Sequence, residues 1–77
     1  MTVQHTKVRV GGYVLSLSAV PDGEGLWFAS FAVATMLNGG VIRGPETLQR
    51  TFQTSAEAIA AADSAARRTL YREIRRQ

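Results

Sequence analysis

The sequence contains no cysteine, which removes both a disulfide framework and a thiolate zinc site. Its one histidine, His5, stands near the chain start and far from any carboxylate in the sequence. No metal and no cofactor is therefore expected. Small domains often lean on such staples. A chain of 77 residues buries only about 60% of the surface that its unfolded form exposes, so here the core must hold the fold alone. Long apolar runs are missing too. The most apolar stretch, LWFASFAVATML (Leu26 to Leu37), has 12 residues, against the roughly 20 that a helix needs to cross hydrocarbon. No basic segment leads into an apolar run at the start, as a signal peptide would require. These absences predict a soluble cytoplasmic protein with no membrane partner.

Catalytic constellations are equally scarce. Ser16, Ser18 and Ser30 have no histidine or lysine base beside them, so no nucleophile can be argued. Asp22 and Glu24 share a turn, where solubilising carboxylates are commoner than an acid–base dyad. The pairs Gly11-Gly12 and Gly39-Gly40 lack a phosphate-loop context. An enzyme is not expected.

What is present is charge at one end. Residues 1–60 carry four cations and four anions, whereas residues 61–77 carry five and two. The whole formal charge of +3 thus belongs to the C-terminal segment, and a one-sided distribution says more about partners than a high pI does.

Residues 8–20, VRVGGYVLSLSAV, alternate after the glycines. Tyr13, Leu15, Leu17 and Ala19 point one way, with Val14, Ser16, Ser18 and Val20 on the other side, the period of a half-buried strand. Gly11-Gly12 is read as a bulge within one long strand, with a turn as the alternative. PDGEG (Pro21 to Gly25) is a turn: proline presets φ and aspartate bonds its own backbone. Leu26 to Met36 is the central strand, with Trp27, Ala29, Phe31 and Val33 on one face. NGG at Asn38 to Gly40 signals a hairpin. VIRGPE then reads as an irregular connection, because Pro45 cannot donate a ladder bond. A last strand follows at Thr47 to Gln53, with Leu48 and Phe52 inward and Arg50 at the margin.

TSAE (Thr54 to Glu57) has the form of a capping box, and the alanine-rich segment after it predicts a helix over about 55–74. Ile59, Ala62, Ala66 and Leu70 make its apolar stripe, with Ile74 at the edge. The expected fold is α+β: a single β-β-β-α domain over residues 1–77, with residues 1–6 flexible. Its antiparallel sheet has three strands, or four if Gly11-Gly12 turns, and one long C-terminal helix packs on one face.

The spacing of Gly25-Leu26-Trp27, the NGG turn and Phe52, Thr54, Glu57 and Ala58 resembles a set of small proteobacterial stand-alone domains of unknown function. That resemblance implies a sheet plus a C-terminal helix and supplies no activity. More loosely, the same positions are similar to the arm-type DNA-binding domain of tyrosine recombinases, where a three-stranded sheet enters the major groove. The sheet positions Ser16, Ser18, Ser30, Gln49 and Thr51 depart from that family in offering few arginines or lysines.

Two candidate surfaces remain. A single helix covers one side of a sheet, which leaves Val14, Phe28 and Met36 on the other, where apolar side chains mark a face that a partner covers. That predicts a non-enzymatic interaction module, docking a protein or a second copy of itself by the open face or an edge. The competing expectation is a nucleic-acid binder using Arg68, Arg72, Arg75 and Arg76, which lie opposite the apolar stripe on the helical wheel. The plainer account of those arginines ranks ahead of it: cations at a helix C-terminus complement the macrodipole and keep an apolar protein soluble.

Overall fold

The structure, a computed structural model, describes residues 2–37 and 39–75. Four strands run in an antiparallel meander in the order β1-β2-β3-β4: β1 Gln4–Val10, β2 Tyr13–Pro21, β3 Trp27–Thr35 and β4 Val41–Phe52. One helix, α1 Ser55–Arg75, follows them among the described residues. The α+β class and the helix are as expected, and the sheet has the fourth strand that the sequence left open. Among the described residues no helix is long and apolar enough to cross a membrane.

Two expectations are corrected. Gly11-Gly12 is a turn and not a bulge: Val10 pairs with Tyr13 across it, and Gly11 has φ +59°. A positive φ at the first of two turn residues suits a tight hairpin that follows the strand twist, and glycine takes it without strain. Residues 4–6, expected to be loose, are therefore the first residues of β1. The segment VIRGPE is likewise not a connection but the first half of β4. Pro45 is tolerated because β4 is an edge strand, and the ladder gives way around it. From Trp27 to Ala34 is seven steps, from their partners Phe52 to Val41 eleven, so β4 accommodates four more residues than β3 over the same span.

The turn between β2 and β3 forms as its residues predict, with Asp22 Oδ1 accepting from the backbone N–H of Glu24 at 2.7 Å and of Leu26 at 3.0 Å. Between β3 and β4, Thr35 N–H donates to Gly40 O at 2.9 Å; Asn38 of the NGG signal lies outside the described residues.

The core sits between the sheet and the helix. Leu15, Leu17 and Ala19 of β2, Trp27, Ala29, Phe31 and Val33 of β3 and Phe52 of β4 are buried, as the alternation requires. A 21-residue helix is about 31 Å long and nine-residue β3 about 30 Å, so α1 runs the length of the sheet. Its buried line is Ala58, Ala62, Ala65, Ala66, Thr69 and Leu70. The stripe is thus turned toward Ala58 and Ala65 from the expected one, leaving Ile59 half-buried and Ile74 42% exposed. Alanines fill the middle because the helix backbone lies close to the β2–β3 surface, where a larger side chain has no room.

The capping box forms. Thr54 Oγ1 accepts from Glu57 N–H at 3.1 Å and donates to Glu57 Oε1 at 3.3 Å, so the carboxylate meets the hydroxyl where the backbone N–H was expected. Thr54→Ala is expected to cost about 1 kcal/mol by orphaning a first-turn N–H. Urea melts of the two proteins would show it, and an unchanged midpoint would mean that the cap contributes nothing.

Candidate functional site

The helix packs on β2 and β3 and less on β4, so the opposite face of the sheet has no cover within the described chain. Cross-strand register assigns that face row by row. His5 pairs with Ser18, Lys7 with Ser16 and Arg9 with Val14. Ser18 pairs with Ser30, Ser16 with Ala32, Val14 with Ala34 and Val20 with Phe28. On β4, Thr47 lies beside Ser30 and Thr51 beside Phe28. Directly opposed residues of an antiparallel pair point to the same side, so these side chains share one surface.

That surface is graded. Along β1 runs a row of basic residues, His5, Lys7 and Arg9, all exposed, of which Lys7 and Arg9 are cations. A band of small and hydroxyl side chains follows, in which His5 Nδ1 and Ser18 Oγ hydrogen-bond at 2.8 Å. None of the open-face positions on β1, β2 and β3 is a carboxylate.

The expected docking residues do not form one patch. Val14 is half-buried between Arg9 and Ala34. Met36, 44% exposed, donates its backbone N–H to Gly12 O at 2.9 Å and so sits at the same end. Exposed Leu37 and Val41 join them there. Phe28, 38% exposed, stands six residues back along β3 from Ala34, about 20 Å away. The hydroxyl band separates the two apolar ends.

Arg68, Arg72 and Arg75 are exposed on α1; Arg76 lies outside the described residues. The helix covers the other side of the sheet, so this ridge and the β1 row are on opposite sides of the molecule and cannot make one continuous track. Arg67 is set apart from the ridge. Its Nε donates to Asp63 Oδ1 at 3.0 Å and Oδ2 at 3.1 Å, and the Asp63 hydrogen bond and charge raise its pKa further, so it stays a cation at any ordinary pH. The second surface pair, Arg43 with Glu46 at 3.3 Å, joins β4 to itself across the Gly44-Pro45 step.

Residues 3–77 match the model of a family described as a domain of unknown function, DUF6566. The chain belongs to DUF6566. The family covers all five elements of the fold, agrees with the expected likeness to domains of unknown function, and assigns no activity. No curated protein and no solved structure matches the chain.

In this DUF6566 chain the sequence reading missed the basic row on the open face. The signal was there in the i, i+2, i+4 spacing of His5, Lys7 and Arg9. Taking Gly11-Gly12 for a bulge kept those residues from being folded back beside β2.

Proposed function

We propose that this DUF6566 chain is a non-enzymatic interaction module that docks the open face of its sheet onto an acidic protein surface. The observation that carries the reading is the make-up of that face: an exposed phenyl ring at Phe28 and a row of cations without a carboxylate among them on β1–β3. Aromatic rings that become fully desolvated dominate interface energetics, while a cationic rim steers an anionic partner and fixes its register. Ser16, Ser18 and Ser30 offer hydroxyls that donate or accept as the partner requires.

A second copy is the poorer occupant. Its open face has no carboxylate on these strands to meet Lys7 and Arg9, and both copies carry +3. Edge pairing fares no better, since two β1 strands aligned about their midpoint set Lys7 against Lys7. The edge of β4 is broken by Pro45 and its extra residues, a device that blocks strand addition.

The test starts from proteins retained by the full chain from its own cells, each then purified and titrated. Phe28→Ser is expected to weaken binding at least about tenfold while shifting stability by less than about 1 kcal/mol, since the ring is already part-exposed. Lys7→Glu with Arg9→Glu should reduce the association rate and its salt dependence. Binding that survives both changes, or that disappears when only Arg72 and Arg75 are neutralised, would overturn the proposal.

The β1 row also favours a second reading, contact with nucleic-acid phosphates. The two cations there, Lys7 and Arg9, would give a salt slope of only about 2. Micromolar binding of a duplex or single-stranded oligonucleotide at about 150 mM salt, lost in the Lys7 and Arg9 variant, would put this reading first.

A further inference from the structure

On the helix side of the sheet, away from the open face, β4 and α1 bound an open cleft of about 440 Å³. Leu48 and Phe52 of β4 and Ala61 of α1 supply its apolar lining, and Gln49, Arg50, Ser64 and Arg68 its polar groups. The cleft exists because the helix sits over β2 and β3, off-centre from β4, and because Ala61 and Ser64 are too short to fill the gap. At 100° per residue Ala61, Ser64 and Arg68 fall within about 60° of one another on the helix, so all three face the same strand.

Two arginines, Arg50 and Arg68, line the cleft. Arg50 lies with its guanidinium carbon 4.6 Å from the centroid of the Phe52 ring. A guanidinium held near an aromatic ring retains N–H donors for a further partner. Among the described residues the salt bridges take Arg43 and Arg67, and no carboxylate neutralises Arg50 or Arg68. Glu57, one turn before Ala61 on the same helical line, is already engaged by the Thr54 hydroxyl.

We infer that this cleft is a binding site for a small organic phosphate monoester: a dianionic head between Arg50 and Arg68, and an aryl or alkyl body against Leu48, Phe52 and Ala61. Two cations match a head carrying about two negative charges, and arginine presents paired N–H donors to phosphate. The Ser64 hydroxyl and Gln49 amide add neutral hydrogen-bonding capacity. The volume falls within the range of about 300–1,000 Å³ usual for small-molecule sites. Because the polar groups are exposed to water, the expected affinity is modest, with Kd about 0.1–1 mM. This site is independent of the docking reading, which concerns the other face.

The experiment is an NMR titration of the full chain with phenyl phosphate, following backbone amides and arginine Nε–H signals. Inorganic phosphate serves as the head alone, benzyl alcohol as the body alone, and benzoate as the same body with one charge. Saturable shifts are expected in residues 48–52 and 61–68, with inorganic phosphate and benzoate each about tenfold weaker. Arg50→Gln and Arg68→Gln should each weaken phenyl phosphate about tenfold. Ala61→Leu should abolish binding by filling the floor, its amide spectrum otherwise that of the folded protein. Arg75→Gln, beyond the cleft, should change binding less than about twofold. No saturable shift by about 10 mM phenyl phosphate, equal binding of inorganic phosphate, or an equal loss in Arg75→Gln would overturn the inference.

Discussion

Leu70→Ala is expected to cost about 3–4 kcal/mol and to lower Tm by about 12–32 °C. Leu70 is fully buried, where the last third of α1 meets the sheet. Removing its isobutyl group loses the transfer free energy of those carbons and leaves a cavity that β2 and β3, tied together along their whole length, cannot collapse to fill. A 77-residue domain has a total stability of about 4–12 kcal/mol, so this one change removes a quarter or more of it. The denaturant midpoint should fall with its slope unchanged. Ile74→Ala is the control. The sequence placed Ile74 at the edge of the same stripe, and the structure leaves it 42% exposed, so its truncation should cost less than about 1 kcal/mol. Equal losses at the two positions would mean that the end of the helix is packed in some other way.

Gly44→Ala is expected to be as damaging, by a different route. Gly44 has φ +115°, in a region that side-chain-bearing residues rarely enter. A Cβ there would meet Ala32 Cα at 2.7 Å, Ala32 Cβ at 2.8 Å and the Phe31 carbonyl oxygen at 2.9 Å. None of these is the movable end of a side chain, so relief requires β4 to lift from β3. Backbone strain contributes about 1–3 kcal/mol and the overlap about as much again, or roughly 2–6 kcal/mol together. Gly12→Ala makes the comparison sharp. A Cβ at Gly12 meets nothing within 4 Å, and its stability should change by less than about 0.5 kcal/mol. A Gly44→Ala protein that melts with the wild type would show that β4 does not lie against β3 at this step.

The helix, the two central strands and the inward side chains of β2 and β3 were determined by the sequence alone. Thr54 and Glu57 start α1, alanine carries it, and Leu15, Leu17, Trp27, Phe31 and Val33 alternate inward, because capping and side-chain period are local properties that any neighbour must accept. Tertiary structure decided the rest. Whether Gly11-Gly12 bends or reverses the chain depends on what lies beside Leu15 and Leu17. Reversal supplies a fourth strand and with it the cations of the open face. The reading of Pro45 as a break failed because an edge strand has one side with no ladder bond to lose. The small turn of the helix that buries Ala58 and Ala65 while leaving Ile74 outside follows from close approach to the sheet, and apolar period alone cannot distinguish an alanine line from an isoleucine line. The Arg50–Arg68 cleft joins residues 18 positions apart on different elements. It exists only because α1 settles over β2 and β3 and leaves the inner side of β4 partly bare, a consequence of packing that no local pattern encodes.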